Sequence, residues 1–370
     1  MNDEAHPSDS AAPPRYSRQV LLPFIGEEGQ RRLTGSHALL VGCGALGCAV
    51  ADALARAGVG RLTIVDRDFV DVTNLQRQSL FDESDAREGL PKSVAAERRL
   101  GAVNSAVRVR GIVEDLSARN AEGLLEGDAG GDRPDVIIDG TDNFETRYLL
   151  NDLAVKRGAP FVYGGVVAAE GMQMTVVPRG EDGTACLRCV FPDPPAPGSA
   201  ATCDTAGVLG PAVAMVAAMQ ATEAIKILVG RKDLLHGGLV RIDLETNRFD
   251  VSSLASAKDP ACPCCGARRF EFLDASASSG TTVLCGRDSV QVTPAGGNGA
   301  GIDLAAAARR LAAHGEFRAN AHMVRGAFRE VKGEGGRGVG LALFPTGRAI
   351  ITGVTSAEAA RSIYARFIGS

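Results

Sequence analysis

The 370-residue chain is 45% hydrophobic, so it is long enough to bury one large core and one smaller core. Its formal net charge of −4 gives no reason to expect nucleic acid or an anionic membrane as a partner. Residues 1–14 are polar and lack the apolar stretch of a signal peptide, so we expect a disordered N-terminus and a cytoplasmic protein.

The first predicted elements are a strand, a glycine-rich turn, a helix and a second strand. The apolar run HALLV (37–41) is typical of a buried parallel strand, and Gly42, Gly44 and Gly47 follow it as G-x-G-x-x-G. Apolar residues at helical spacing come next, and RLTIVD ends the second strand at Asp66. This order is typical of a nucleotide-binding β-α-β unit.

Strands and helices continue to alternate along the chain. Further strands are predicted at Val107–Val113, Asp135–Asp139 and Pro160–Tyr163, with helices at 91–101, 116–126 and 144–157. Consecutive short strands, a long helix at 211–229 and strands near 239–244 and 247–252 follow. We therefore expect an α/β fold with a doubly wound, Rossmann-like, mostly parallel sheet and an antiparallel extension.

The longest apolar stretch lies within this first region, around Val208–Val229. It carries Gln220, Glu223 and Lys226, which a membrane-spanning helix would have to place in hydrocarbon. We therefore expect no membrane span.

Composition changes near residue 274. Residues 15–273 hold the elements above, and the Ser- and Ala-rich segment 274–282 is expected to be a linker. Residues 283–370 are expected to form a small C-terminal α/β domain. Its predicted elements are a strand (SVQVT), a helix (DLAAAARRLAAHG), strands at about 321–331 and 339–351, and a terminal helix (SAEAARSIYARFI).

The glycine turn is the first indication of chemistry. Gly42, Gly44 and Gly47 would let the backbone approach a phosphate, which the N-terminus of the next helix would face. Asp66 stands where an acid can accept hydrogen bonds from ribose hydroxyls. We expect a nucleotide site, and the alternative is a structural turn that binds nothing.

Two cations follow the glycine turn. Arg77 lies in NLQRQSLF (74–81), and Lys92 lies in LPKS at the start of the next predicted helix. A site that neutralises a triphosphate and its transition state needs such cations, whereas hydride transfer does not need them here. The alternatives are a surface ion pair for Arg77 and a solvated helix residue for Lys92.

Polar residues also follow the predicted strand that ends at Asp139. Ligands bind at the carboxyl ends of parallel strands, and a carboxylate such as that of Asp142 suits magnesium beside a triphosphate. The alternative is an N-cap for the helix near Phe144, which Asp142 or Asn143 could supply.

The cysteines indicate a metal site. Two C-x-x-C pairs supply Cys186 with Cys189 and Cys262 with Cys265. Four thiolates so spaced can close a tetrahedral zinc site, which is structural because no ligand position stays open. Cys264 leaves the choice of ligand ambiguous, and a redox dithiol is the alternative interpretation.

With these motifs the chain resembles the ThiF/MoeB/HesA family, the bacterial relatives of ubiquitin-activating enzymes. The resemblance covers about residues 15–270 in the family's order, and NLQRQ and the paired cysteine motifs are its most specific parts. The matching segments are RYSRQVLL (15–22), GCGALGC, VDRD, NLQRQ, PKS, GTDN, YGGVVAAEGM, CLRC, TCDTAGVLGP, QATEAIKIL and CPCC.

This resemblance implies an adenylyltransferase that consumes ATP. Its substrate would be the C-terminal glycine of a ubiquitin-like sulfur-carrier protein ending in Gly-Gly, and its pathway thiamine, molybdopterin or related sulfur-containing cofactor synthesis. The carrier carboxylate would attack the α-phosphorus of ATP, and pyrophosphate would leave. The sequence does not name the carrier.

The resemblance also assigns roles to single residues. Arg18 resembles an arginine that reaches into the neighbouring protomer's ATP site, which implies a homodimer. Asp142 resembles the Mg²⁺ ligand, and Arg77 and Lys92 would stabilise phosphate charge. The nucleotide-binding residues that it implies are Gly42, Gly44, Gly47, Asp66, Asp68, Asn74, Arg77, Lys92, Asp142 and Asn143.

Two further cysteines lie apart from the paired motifs. Cys203, in TCDTAGVLGP, falls where some family members have a cysteine that links covalently to the carrier, and the alternative is an incidental thiol. Cys285 precedes a predicted strand, so we expect a buried thiol instead of the catalytic loop of a rhodanese domain. The domain at 283–370 is expected to bind the carrier or a sulfur donor protein.

Two other functions stay open. One is a scaffold that docks a ubiquitin-like protein without catalysis, which the joint presence of Arg18, Arg77, Lys92 and Asp142 disfavours. The other is an NAD-dependent oxidoreductase or a dehydratase on the same sheet, which tight binding of NAD would support.

Overall fold

A computed structural model describes residues 14–126, 133–178, 183–195, 203–274, 281–284, 289–293 and 301–369. Residues 1–13, where we expect disorder, and residues 275–280 of the expected linker lie outside this description. Contacts divide the chain into two compact units, Met1–Arg87 with Pro91–Ala275, and Ser276–Ser370 with Glu88–Leu90.

The first unit alternates strands and helices up to β5 and then changes to consecutive strands. Its first elements are α1 (Gly26–Gly35), β1 (His37–Val41), α2 (Ala45–Ala57), β2 (Arg61–Val65), α3 (Glu83–Glu88), α4 (Lys92–Val103), β3 (Arg108–Ile112), α5 (Ala121–Glu126) and β4 (Val136–Asp139). The others are α6 (Phe144–Arg157), β5 (Phe161–Val167), β6 (Glu170–Val176), α7 (Leu187–Val190), α8 (Cys203–Ala206), α9 (Gly210–Leu228), β7 (Gly238–Asp243), β8 (Arg248–Ser253) and α10 (Glu271–Asp274).

These strands form one eight-stranded sheet with the order β3-β2-β1-β4-β5-β6-β7-β8. The pairs β1–β2, β1–β4, β2–β3 and β4–β5 are parallel. The pairs β5–β6, β6–β7 and β7–β8 are antiparallel. The doubly wound, mostly parallel sheet with an antiparallel extension is therefore confirmed.

Helices cover both faces of the parallel strands. Leu39 and Val41 of β1 belong to the core that α6 covers, whereas Leu40, between them, faces Gly47 of α2. Because successive side chains of a strand point to opposite faces, α6 and α2 lie on opposite sides of the sheet. Covered on both faces, β1 is buried along its whole length, which explains its continuous apolar run.

Helix α9 accounts for the longest apolar stretch. Within the described ranges it is the one helix long and apolar enough to cross a membrane. More than half of that stretch is buried inside the protein, because α9 packs against α2, β5 and β6. Its apolar composition is therefore that of a core helix.

The second unit contains a six-stranded sheet with the order β11-β12-β13-β14-β10-β9, in which every pair is antiparallel. Apolar side chains of α11 and α12 form its core with the sheet. Its elements are β9 (Thr281–Leu284), β10 (Ser289–Val292), α11 (Leu304–Leu311), β11 (Gly315–Ala319), β12 (Val324–Lys332), β13 (Gly338–Leu343), β14 (Ala349–Thr352) and α12 (Ala357–Phe367).

Several details differ from the sequence-based expectations. The strand expected at 339–351 is the hairpin β13–β14, because the chain turns through Gly347 at φ +83°. Strand β11 follows a helix that we expected to continue to residue 315, and β9 includes residues expected in the linker. The helix expected over 116–126 begins only at Ala121, because Ser117 donates its N–H to Asn120 Oδ1 (2.8 Å) in a turn. Helix α1 was not predicted.

Candidate functional site

The turn after β1 brings three glycines into backbone contact. A Cβ on Gly42, whose φ is +89°, would lie 2.6 Å from the carbonyl of Gly140, and one on Gly47 would lie 2.0 Å from the Gly42 oxygen. At Gly44, the N-cap position of α2, the nearest described atom to such a Cβ is 3.9 Å away. The close packing of the fold explains Gly42 and Gly47, and the space beside Gly44 is open to a ligand.

The carboxylate of Asp66 ties this turn to the loop after β2. Its Oδ2 accepts the Cys43 N–H (2.6 Å), and its Oδ1 accepts the Asp68 N–H (2.7 Å). Burial raises the pKa of Asp66, and the positive charge of Lys92 opposes this rise. The acid is thus held beside the glycine turn.

Lys92 is not the solvated residue that the sequence allowed. It is the first residue of α4, and its side chain is only 3% exposed. Its N–H donates to the Asp68 carbonyl (2.9 Å), and its Nζ lies 3.3 Å from Asp68 Oδ2. The ammonium therefore lies between two carboxylates, Asp66 and Asp68, instead of in water.

Arg77 follows a capped turn in the same loop. Asn74 is buried, and its side chain accepts the Asp71 N–H (3.2 Å) in a reciprocal capping arrangement. Arg77 donates from Nη1 to the Thr73 carbonyl (3.0 Å) and forms no ion pair within the described part of the chain. Its charge is therefore not neutralised by an acid of this unit.

The end of β4 resolves the choice between Asp142 and Asn143. Asn143 is the N-cap of α6, since its Oδ1 accepts the Thr146 N–H (2.8 Å). The carboxylate of Asp142 is exposed and has no hydrogen-bond partner in the described residues. The structure thus leaves Asp142 available to a ligand.

A buried ion pair beneath this turn was not predicted from the sequence. Arg147 Nε lies 3.3 Å from Asp139 Oδ2, and Arg147 Nη2 donates to the Thr141 carbonyl (2.9 Å). Asp139 also accepts the Thr141 N–H (2.8 Å) and hydroxyl (2.7 Å). Burial raises the pKa of Asp139, and Arg147 opposes the rise. The sequence clue to this buried pair was Arg147 itself. It occupies the fourth position of α6, where an apolar residue would ordinarily face the core.

The other arginine that the sequence analysis missed is Arg67. Its Nη1 lies 2.9 Å from Asp115 Oδ1, which connects the loop after β2 to the loop after β3. The sequence signal for this pair was the arginine that directly follows Asp66 in VDRD. We call the glycine turn, the polar residues of the loops after these parallel strands and Lys92 at the start of α4 the nucleotide edge, which comprises Gly42, Gly44, Asp66, Arg67, Asp68, Lys92, Asp115, Asp142 and Asn143.

The segment RYSRQVLL is attached by side-chain hydrogen bonds to the C-terminal ends of α4 and α2. The Tyr16 hydroxyl accepts from Asn104 Nδ2 (2.9 Å), and Gln19 Nε2 donates to the Ala57 carbonyl (2.8 Å). Arg18 is exposed and makes no ion pair within the described ranges, and Leu21 beyond it is 70% exposed. Two side chains of the segment anchor it, and Arg18 between them is exposed to solvent.

The four predicted metal ligands lie together. The sulfurs of Cys186, Cys189, Cys262 and Cys265 all fall within 4.8 Å of one another, and three of the contacts measure 3.4, 3.6 and 3.9 Å. We call these four residues the cysteine cluster. Thiols at this spacing without a metal resist ionisation: hydrogen bonding to Cys186 and burial raise the pKa of Cys189 to about 12.

Cys264 is not one of these four residues, although its side chain also lies within hydrogen-bonding reach of Cys186. It is fully buried and accepts a hydrogen bond from Asn151 Nδ2 (3.2 Å) on α6. Asn151 Oδ1 accepts the Leu187 N–H (2.9 Å), so one side chain of α6 contacts both C-x-x-C segments. The four sulfurs that lie close enough together to hold one metal ion therefore include Cys265 and not Cys264.

The loop before α9 contacts the β5–β6 turn. Ala168 has the left-handed φ of +53°, donates its N–H to the Gly207 carbonyl (2.9 Å) and accepts the Leu209 N–H (2.8 Å). Cys203 is the first residue of the short helix α8, and Cys285 lies outside the described residues. The backbone downstream of Cys203 is therefore fixed at the carboxyl edge of the sheet.

Comparison with known proteins identifies relatives along almost the whole chain. The ThiF family profile matches residues 16–264. The Bacillus subtilis sulfur carrier protein ThiS adenylyltransferase is 43% identical over 356 residues, which are 96% of this chain and 99% of that protein. The sulfur carrier protein adenylyltransferase of Thermus thermophilus is 42% identical over 257 residues, which are 68% of this chain and 90% of that protein.

A further sequence relative and a solved structure are also similar to this chain. The SAMP-activating enzyme E1 of Haloferax volcanii is 38% identical over 252 residues, covering 68% of this chain and 88% of that protein. The crystal structure of Escherichia coli MccB with ATP has a TM-score of 0.57 at 22% identity, covering 70% of this chain and 75% of that one. At this identity the structural likeness concerns the fold alone.

Proposed function

The chain belongs to the ThiF family, and on this premise we propose that it adenylates the C-terminal glycine of a ubiquitin-like sulfur-carrier protein, using ATP. The observation that carries the proposal is the nucleotide edge, where an open glycine turn, a buried lysine and a free carboxylate follow neighbouring parallel strands. The printed names of the Bacillus and Thermus relatives support the same substrate class.

Several residues of the nucleotide edge, together with Arg77, have a part in this reaction. The glycine turn and the N-terminus of α2 receive phosphate, and Asp66 accepts the ribose hydroxyls. A carboxylate oxygen of the carrier bonds to the α-phosphorus, and the bond to the pyrophosphate oxygen breaks. Lys92 and Arg77 stabilise the negative charge that builds up on the phosphates, because both are cations held in place before the substrate arrives.

Magnesium fits one residue of this edge. The Asp142 carboxylate is a hard oxygen ligand with no partner inside the described residues, whereas the Asn143 oxygen already caps α6. Bound there, the ion would neutralise negative charge on the phosphates. The Arg147–Asp139 pair holds the turn that carries Asp142, since it fixes Thr141 on both sides.

Zinc fits the cysteine cluster. With Zn–S bonds of about 2.3 Å, the sulfurs of a tetrahedral site lie roughly 3.8 Å apart, which is close to the observed contacts. Four thiolates leave no open position, so the metal would be structural and would join the segment around Cys262 to the segment around Cys186.

A second copy of the chain fits the exposed apolar surface of the first unit. Helix α9 turns Ala214, Met215 and Ala218 outward, and Leu21 is 70% exposed next to Arg18. Exposed apolar residues at helical spacing are typical of a protein interface. In a homodimer that covers them, Arg18 would be available to the partner's nucleotide edge.

The edge strand β8 is the surface on which the carrier would dock. All six of its residues are exposed, and Phe249 (58% exposed) and Val251 (63%) share one face. The unpaired side of an edge strand can accept another strand, and four strand spacings of about 4.8 Å separate β8 from β4. An extended tail of about six residues would therefore reach from a carrier on β8 to Asp142.

Pyrophosphate exchange tests the function. With ATP, Mg²⁺ and a panel of small proteins that end in Gly-Gly, one carrier should support incorporation of labelled pyrophosphate into ATP. Mass measurement should then show the adenylated carrier. No exchange with any carrier would favour a scaffold, and tight binding of NAD in place of ATP would favour the oxidoreductase.

Two variants and one control variant refine this test. Cys203→Ser should retain exchange, because adenylation precedes any thioester. Val251→Asp should raise the KM for the carrier and leave the KM for ATP unchanged. Leu234→Asp, a matched change at another exposed apolar residue (38% exposed), should alter neither constant.

A further inference from the structure

The pair Arg67–Asp115 closes one end of the nucleotide edge. Arg67 follows Asp66 directly, and Asp115 follows β3, the strand next to β2. Their side chains meet at 2.9 Å and are each about three-quarters buried, at 24% and 27% exposure. The planar guanidinium is thus fixed between two loops with part of its surface accessible.

Carboxylates surround this guanidinium. Burial disfavours its charged form, but the charges of Asp115 and Asp68 outweigh burial, so the pKa of Arg67 lies above its ordinary value. Asp142 acts on Arg67 in the same direction. With so many acids around one cation, this position has no net positive charge to offer a phosphate.

Its position points to a different part of the nucleotide. In a doubly wound sheet the phosphates bind at the turn after the first strand, and the ribose binds at the acid after the second. The base then lies on the far side of the ribose, towards β3, where Arg67 and Asp115 meet. A guanidinium plane stacks well on aromatic rings, and a neutral base is not repelled by the acids.

We propose that Arg67, held in place by Asp115, recognises the base of the nucleotide by stacking and so selects a purine nucleotide. This inference rests on the proposed use of ATP. It assigns Arg67 to specificity for the base, whereas Lys92 and Arg77 act on the phosphates.

Calorimetric titration with ATP, UTP and tripolyphosphate, each with Mg²⁺, tests the proposal on the full-length protein. Arg67→Lys keeps the positive charge but replaces the planar guanidinium by an ammonium group that cannot stack in the same way. The Kd of ATP should therefore rise about ten-fold. The preference for ATP over UTP should shrink accordingly, and the Kd of tripolyphosphate should stay the same. Asp115→Asn should have a smaller effect in the same direction.

Arg108→Lys, an exposed arginine at the other end of β3, is the matched control and should bind all three ligands like the wild type. An unchanged ATP-to-UTP ratio in Arg67→Lys would overturn the proposal, as would an equal loss of tripolyphosphate binding. Tighter binding of NADP than of ATP by the wild type would overturn it too, in favour of a 2′-phosphate ligand. A wild type that binds UTP and tripolyphosphate but never ATP would instead contradict the proposed function.

Discussion

The nucleotide edge and the cysteine cluster belong to the same unit but are built in opposite ways. At the nucleotide edge the buried charges are paired, Lys92 with Asp68 and Arg67 with Asp115, while Asp142 and the space beside Gly44 stay open. In the cysteine cluster each sulfur faces other sulfurs, and none is exposed. A site that binds and releases substrate keeps open positions, whereas a closed ligand set can only hold the fold together.

The largest effect should come from the cysteine cluster. Cys262→Ser removes one zinc ligand, and we expect loss of the metal and a destabilisation of more than about 5 kcal/mol, because metal binding in such a site is folding free energy. Elemental analysis and denaturant unfolding would measure both. Cys264→Ser, two residues away, should keep the zinc, since Cys264 contacts α6; equal zinc loss in both variants would contradict the assigned ligand set.

The second-largest effect should separate the two sites. Lys92→Met should lower kcat/KM for adenylation by about 10²–10³, the usual cost of one group that stabilises transition-state charge. Zinc content should change little, because the cysteine cluster does not contact Lys92, whereas the melting temperature should fall because Asp66 and Asp68 lose their cation. Lys156→Met, which removes a partly exposed lysine of α6 from its ion pair with Glu122 of α5, should leave the rate intact. A Lys92 variant with the normal rate would remove that residue from the phosphate site.

A smaller effect should follow at the free carboxylate. Asp142→Asn should lower the rate about ten- to a hundred-fold, and added Mg²⁺ should restore part of it, because the neutral amide binds the cation more weakly. Rates over a magnesium titration would measure this. Glu145→Gln, an exposed acid one turn into the same helix, should show no magnesium dependence beyond that of the wild type. The same magnesium response in both variants would contradict the assignment.

The smallest effect is expected at Asn143, the residue after Asp142. Asn143→Ala removes the N-cap of α6 and should cost about 1 kcal/mol of stability, measured by denaturant unfolding. Asn143→Asp should restore it, because aspartate caps equally well. If Asn143→Ala instead abolished adenylation at unchanged stability, Asn143 would be a ligand of the nucleotide and not only a cap.

Much of the first unit could be predicted because its signals are local. The buried run of β1 and the spacing of Gly42, Gly44 and Gly47 identify the strand, turn and helix without reference to the rest of the chain. The cysteine pairs are similarly local at each end. Helix α6 was predicted over 144–157, the residues it occupies, because a capping residue and a terminal Gly158 bound it.

The parts that could not be predicted depend on residues distant in the sequence. Arg147 and Lys92 look like ordinary helical cations, and only their buried positions beside Asp139 and Asp68 reveal otherwise. The hairpin β13–β14 resembled one strand because both of its strands are apolar and the turn between them is short. In each case the deciding contact lies on another element.

By itself, the sequence determined the family, the parallel sheet, the place of the glycine turn and the two C-x-x-C pairs, since each of these follows from spacing along the chain. Only the tertiary structure decided that Asn143 caps α6 while Asp142 stays free, that Cys264 is not in the cluster, and that Arg67 meets Asp115. Those outcomes depend on which groups are paired and buried, and pairing across a sheet leaves no local pattern in the sequence.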